Sequence, residues 1–297
     1  MSNALFENLA TLGEEKGRLD EKRLYELSEL SFVIWQRVKE GKISLKTPYG
    51  FSDGVAPFLK RTDVLYKGYA EYEPFLDRAR LCERALMCAA LSRFLSERLG
   101  KEAFCPFPKT KGKGTRVAYV PSPLSEAAYT VISGRRDTSV LYISGAAEAF
   151  AALGASEADY ALLPLSYQDG ERIPSIGKLA RQAEAYIAAT VSVLDGEREA
   201  TYALYSLEPS PFVESESCFL EWQLTQNSYD DVSLLMSGVS LFGHTLAEYR
   251  CSPSEYGRVN CRATLYGKGD DAALWFYLSI MAGEFSLLGV YPRLEAK

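Results

Sequence analysis

The stretch Gly145–Ser166, GAAEAFAALGASEADYALLPLS, decides the fold. Its first part, 145–157, reads as a helix, and ADYALLPLS (158–166) as a strand. The segments before it alternate in the same way. TRVAYV (115–120) is a strand, SEAAYTVIS (125–133) a helix and SVLYIS (139–144) a strand. Strands alternating with helices predict a parallel α/β sheet. A longer helix is expected at IPSIGKLARQAEAYIAA (173–189), followed by strands at TVSVLDG, REATYALYSLE and CFLEWQLT.

Outward from this centre the pattern changes on both sides. Residues 5–44 carry Leu19, Leu24, Leu27, Leu30, Val33, Ile34 and Val38 at steps of three and four, the period of an amphipathic helix. KTPYGFSDG (46–54) breaks it, and further helices are expected near 54–68 and 71–99, with Gly100 as a stop. CPFPKTKGKGT (105–115) has the Pro, Gly and Lys content of a linker. On the C-terminal side, DDVSLLMSGVSLFG (230–243) reads as a helix, TLAEYRCS (245–252) and GRVNCRATLYGKG (257–269) as strands, DAALWFYLSIMAGE (271–284) as a helix and FSLLGVYPRL (285–294) as a strand. With CFLEWQLT in front, that is the ferredoxin-like order.

Composition narrows the function. The chain is 47% hydrophobic, enough for packed cores, and 33 basic against 39 acidic residues leave no basic nucleic-acid footprint. No run approaches the roughly 18 apolar residues of a membrane span. The opening MSNALFENLA has neither a basic n-region nor an apolar h-region, so a cytoplasmic protein is expected. Cys82, Cys88, Cys105, Cys218, Cys251 and Cys261 form no CxxC pair, which favours reduced thiols over disulfides or a metal site. His244 is the single histidine, in LFGHTLAEY. Chemistry in this chain therefore leans on hydroxyls, carboxylates, cations and backbone dipoles.

Four stretches carry a resemblance: RLDEKRLYEL (18–27), SEADYALLPLS (156–166), AEYRCSP (247–253) and LLGVYPR (287–293). In this order the chain resembles the bifunctional chorismate mutase–prephenate dehydratases of phenylalanine biosynthesis. The resemblance implies a multidomain protein. An all-α chorismate mutase-like domain would span 5–100 and a linker 101–114. A two-lobed, periplasmic-binding-like α/β dehydratase domain would span 115–217, and an α+β ferredoxin-like ACT regulatory domain 218–297. It implies decarboxylating dehydration of prephenate to phenylpyruvate without cofactor or metal. It also implies a homodimer or higher homo-oligomer that binds prephenate or a related aromatic-pathway acid, with phenylalanine at the ACT domain, and no nucleic-acid or membrane partner.

Residue by residue, the resemblance is uneven. Gly13 and Leu30 fall where the mutase family places arginines, so the mutase site looks degenerate. The family's Thr-Arg-Phe is Ser217-Cys218-Phe219 here. Ser217 keeps the hydroxyl of the proton donor, whereas Cys218 cannot supply the two-pronged grip of an arginine on a carboxylate. Ser166-Tyr167-Gln168 stands for Glu-Asn-Ser, and Ala200-Thr201-Tyr202 for His-Cys-Leu. The implied catalytic residue is Ser217, with Ser125, Ser166, Gln168, Cys218 and Phe219 around the substrate. Glu248, Tyr249 and Arg250 are implied at the regulatory ligand, although Asp231-Val232-Ser233 replaces a glycine-bearing loop there. Arg116, Arg135, Arg136, Arg172, Lys178 and Arg181 are cations that could compensate for the missing arginine. Three readings stay open: a divergent enzyme of this pathway, a homologue that kept the fold for ligand binding or regulation, and a generic periplasmic-type binding module.

Overall fold

The computed structural model describes residues 115–167, 171–195, 198–214, 218–254, 257–267 and 284–295, with isolated positions at 36, 37, 40, 274, 277 and 278. The expected helical domain at 5–100, the linker at 101–114 and most of the helix expected at 271–284 lie outside these residues. The chain divides into two compact units, residues 1–106 with 270–282 and residues 107–269 with 283–297.

Its first half is built as the alternation dictates. β1 (Arg116–Tyr119), α1 (Pro123–Ser133), β2 (Ser139–Tyr142), α2 (Ala146–Gly154) and β3 (Tyr160–Tyr167) follow in order, with β1 parallel to both β2 and β3. α1 starts where it does because Ser122 caps it reciprocally with Ser125 and Pro123 sits in the first turn. α3 (Pro174–Gln182) is shorter than expected. Glu184 adopts a positive φ of 51°, which a helix cannot continue through. The apolar run after it becomes β4 (Tyr186–Asp195), paired antiparallel with β5 (Arg198–Ser206).

β5 also pairs antiparallel with β3, so the sheet runs β2-β1-β3-β5-β4. The expected two lobes are therefore not found among the described residues. The strands from 116 to 206 form one sheet, because the chain after β3 returns through α3 and a hairpin to the same sheet. Side-chain alternation on β3 shows how it is buried. Tyr160 and Leu162 join Val117, Ala128 and Ile132 beneath α1. Ala161 and Leu163 join Ala149, Phe150, Leu153 and Ile176 beneath α2 and α3. Each large apolar side chain buried this way contributes about 1.5–3 kcal/mol.

The second half is β6 (Phe219–Gln226), α4 (Tyr229–Val239), β7 (Thr245–Pro253), β8 (Val259–Tyr266) and β9 (Glu284–Tyr291), in sheet order β9-β6-β8-β7. Register fixes its two faces. Leu220, Trp222 and Leu224 oppose Leu265, Ala263 and Cys261 on an apolar face. The other face is polar: Glu221 lies beside Thr264 and Glu248, and Gln223 beside Arg262 and Arg250. The two halves merge into one sheet where β9 runs parallel to β4, with Gly289 opposite Ile187. Glycine is required there, since a Cβ would stand 2.4 Å from the Ile187 carbonyl oxygen. β10 (Arg293–Leu294) then pairs with β4, Arg293 opposite Thr190.

Candidate functional site

Where the two halves meet, a cavity of about 400 Å³ opens. One wall comes from the first half. Ser166, Thr201 and Ser192 are register partners across β3, β5 and β4, and the Ser192 and Thr201 hydroxyls lie 3.2 Å apart. Thr190 and Arg293 add a guanidinium and a hydroxyl beside this row. The other wall is the polar face of β7 and β8, with Glu248, Arg250, Arg262 and Thr264. Arg172 reaches in from the segment that bridges back to Ser166.

Glu221 is the hub beneath this cavity. Its side chain is fully buried. Oε2 accepts hydrogen bonds from the Arg172 guanidinium and from the Tyr291 hydroxyl at 2.6 Å. Arg262 Nε lies 3.5 Å from Oε1, yet Oε1 has no hydrogen bond among the described residues. One buried carboxylate thus serves two guanidinium groups. Titration follows from that arrangement. Burial, and next the repulsion of Arg172, lower the Arg262 pKa. Burial alone would also lower Arg172, but Glu221 and its neighbours outweigh it and raise the value. Burial and then the Glu221 charge raise the Tyr291 phenol, which stays protonated as a donor.

Arg293 is held differently. Its guanidinium carbon stands 4.2 Å from the centre of the Phe219 ring, which stacks on Tyr291 with centroids 6.1 Å apart. A cation on an aromatic face keeps its N–H edges available to a ligand. Arg250 pairs with Glu248 at 2.7 Å, both about half exposed, an arrangement screened by solvent. Arg172, Arg250, Arg262 and Arg293 line the cavity with Glu248 and Glu295, above the buried Glu221, and guanidinium groups beside hydroxyls can bind the carboxylates of a small acid.

The expected site residues fall into three groups. Ser166, Glu248 and Arg250 line the cavity, and Phe219 supports Arg293 from below. Ser125 and Tyr249 do not line it. The Ser125 hydroxyl donates to the Val120 carbonyl at 2.7 Å and accepts from the Ser122 N–H at 2.8 Å, which commits it to the helix cap. Tyr249 alternates to the sheet's other face and is exposed. Cys218 lies half-buried at the entrance to β6. Ser217 and Gln168 lie outside the described residues. Arg172 and Thr201, singled out in the sequence, both line the cavity. Arg293 closes the motif LLGVYPR, whereas Arg262, Thr190, Ser192, Thr264 and Glu221 were not singled out; their signal, polar residues alternating with apolar ones in strands, is the one that usually marks a solvent face.

Among the described residues, no group of three or more His, Cys, Asp or Glu side chains is placed to hold a metal ion. No helix among them is long and apolar enough to cross a membrane.

No family model matches the chain, and no curated protein matches it. Among solved structures it is similar to a prephenate dehydratase from Streptococcus mutans, at 15% identity over 61% of this chain and 99% of that one, with a TM-score of 0.49. It is also similar to GqqA, described as a novel type of quorum quenching acylases, at 17% identity over 60% of this chain and 94% of that one, TM-score 0.48. A third is a prephenate dehydratase from Arthrobacter aurescens in complex with L-Phe, at 12% identity over 60% of this chain and 90% of that one, TM-score 0.46. These likenesses assign no role to any residue of this chain.

Proposed function

We propose that the protein is a divergent relative of the prephenate dehydratases of phenylalanine biosynthesis, and that it takes prephenate or a related aromatic-pathway dicarboxylic acid into the arginine cavity. The observation that carries this reading is a pair of guanidinium–hydroxyl subsites in one cavity. Arg293 stands opposite Thr190 in the β10–β4 register. Arg262 stands two residues from Thr264 on the same face of β8. Each couples a cation to a hydroxyl donor, the combination that holds one carboxylate, and prephenate carries two. The motifs SEADYALLPLS, AEYRCSP and LLGVYPR support the same family, and the last of them supplies Tyr291 and Arg293.

In the proposed reaction the ring carboxylate leaves as carbon dioxide. Its bonding electrons enter the ring, and the ring hydroxyl departs as water after gaining a proton. Phenylpyruvate, carbon dioxide and water balance one prephenate. Ser217 is the proposed proton donor. It lies two residues before Phe219, whose ring carries Arg293. A serine hydroxyl needs a neighbouring cation to act as an acid, and Arg293 is the candidate for that part. The mutase-like region, with Gly13 and Leu30 at its arginine positions, should leave chorismate turnover at background. Assembly as a homodimer or higher oligomer in the cytoplasm belongs to the same proposal.

The test is direct. Purified full-length protein is titrated with prephenate by calorimetry, and phenylpyruvate formation is followed by ultraviolet absorbance. Binding with turnover supports the dehydratase reading, and Ser217→Ala should then slow turnover by roughly 10²-fold. Binding without turnover leaves a receptor for the acid. Absence of binding at millimolar prephenate overturns the proposal.

A further inference from the structure

Cys251 of β7 and Cys261 of β8 are direct partners in the antiparallel register. Such partners stand about 4.5–5.5 Å apart at Cα, within the roughly 4.4–6.8 Å that a disulfide spans. The pairing is unbroken on both sides, with Arg250 opposite Arg262 and Ser252 opposite Asn260. Both thiols are free, and they share a side-chain hydrogen bond. Their surroundings differ. Cys261 is fully buried beside Leu224 on the apolar sheet face. Cys251 is half-buried on β7, the outermost strand of that half. Burial, reinforced by contact with Cys251, pushes the Cys261 thiol up to about 12, so it keeps its proton.

We propose that Cys251 and Cys261 are a modification site: a peroxide-oxidisable pair that closes into a cross-strand disulfide. Cys251, as thiolate, attacks one oxygen of hydrogen peroxide. The O–O bond breaks, a sulfenic acid forms, and the departing hydroxide takes the proton that Cys251 gave up and leaves as water. The Cys261 sulfur then attacks the Cys251 sulfur. The S–O bond breaks, and the second hydroxide leaves as water with the Cys261 proton. Two thiols lose two electrons and two protons, and one peroxide becomes two waters. Cys261 reacts through its thiolate, so its raised pKa slows this second step, and the proton it gives up accompanies the leaving hydroxide.

The bond would staple the edge strand that carries Glu248 and Arg250 to the strand that carries Arg262 and Thr264. Side chains alternate across a sheet, so the sulfurs lie on the apolar face and the arginines on the polar one. The staple fixes one wall of the cavity without occupying it. The bond would form whichever acid the cavity binds.

Full-length reduced protein is treated with hydrogen peroxide, quenched by alkylation, digested without reductant and mapped by mass spectrometry. The expected product joins the peptides containing Cys251 and Cys261, two hydrogens lighter than the pair of thiols, and separates on dithiothreitol treatment. Cys251→Ser should abolish the link. Cys261→Ser should leave Cys251 as a sulfenic acid that dimedone captures, a positive signal that misfolding would not produce. Backbone amides of β7 should exchange hydrogen more slowly in the oxidised protein. Any of three outcomes overturns the proposal: Cys251 passing to sulfinic or sulfonic acid with no link formed, a link from either thiol to Cys82, Cys88, Cys105 or Cys218, or both thiols remaining reduced while Cys218 is oxidised.

Discussion

Two polar regions of this molecule invite comparison as binding sites, and they differ in what their groups have left to offer. The first is the C-terminal end of β1, where open α/β sheets usually place their ligands. Ser122 and Ser125 cap α1 for one another, and the Tyr119 hydroxyl donates to Glu126 at 2.9 Å. Donors and acceptors there are matched and spent on each other. The second is the arginine cavity. Arg172 and Arg262 share the single carboxylate of Glu221, and Arg293 rests on an aromatic ring. Four guanidinium groups there stand with three carboxylates, Glu221, Glu248 and Glu295. A polar cluster becomes a site when its hydrogen-bonding and charge are left incomplete by the fold. Hydroxyl content by itself does not distinguish the two regions.

The largest expected effect falls on the second region. Arg262→Ala and Arg293→Ala should each weaken prephenate binding by about 10–100-fold, as expected for a lost charge-assisted hydrogen bond of roughly 1.5–3 kcal/mol. Calorimetric titration of both variants measures it. Equal affinity in either would remove that subsite from the comparison.

Glu221→Gln sharpens the comparison by its sign. Field arithmetic alone says that removing a buried negative charge beneath the cavity should tighten anion binding. If Glu221 instead orients Arg172 and Arg262, binding should weaken, and Glu221→Asp should restore part of it. We expect weakening, together with a loss of about 1–3 kcal/mol of stability from the disturbed buried hydrogen bonds, read by chemical denaturation.

Alkaline pH should expose the same buried network. Tyr205 and Tyr291 both have pKa values raised above the ordinary 10.0, first by burial, with the Glu221 charge adding to both. In the unfolded chain they ionise near 10, while the folded protein keeps their protons. The stability they contribute is therefore complete below pH 10 and declines above it, by about 1.4 kcal/mol per tyrosine for each pH unit. Thermal melts from pH 9 to 11 should show this slope, and Tyr291→Phe should flatten it. A slope unchanged in that variant would mean Tyr291 ionises freely in the folded state.

The smallest effect belongs to the first region. Ser125→Ala should cost about 1 kcal/mol through the lost helix cap and leave prephenate affinity unchanged. A change in affinity without a change in stability would restore the β1 end as a ligand site.

Much of the fold was legible and less of the site. GAAEAFAALGASEADYALLPLS read correctly as helix and strand because its apolar spacing is local information. The helix expected at 173–189 overran because nothing in its composition announces the positive φ of Glu184. Sheet membership is a different matter: sequence alternation gives strands but not which sheet they join, and among the described residues β4 and β5 returned to the first. The cavity depends on facts of the same long-range kind. FLEWQLT shows a polar stripe through Glu221 and Gln223, which resembles an ordinary wet face. Glu221 is enclosed by residues distant in sequence: Tyr291 of β9, Arg262 of β8 and Arg172. Arg172 and Thr201 stood out in the sequence because a family pattern or a missing charge drew notice to their positions. Arg262 had no such marker.

The β10–β4 register has a consequence for how the molecule is made. Thr190 and Arg293 are neighbours in the sheet but emerge from the ribosome roughly a hundred residues apart, a non-local closure of the kind that slows folding. Until β9 and β10 are synthesised, Thr190 has no Arg293 beside it, and Ile187 has no Gly289 to meet. The early sheet must wait with an open edge for its late partner, so the nascent chain passes through a stage in which its first sheet is assembled and the Arg293 subsite is absent.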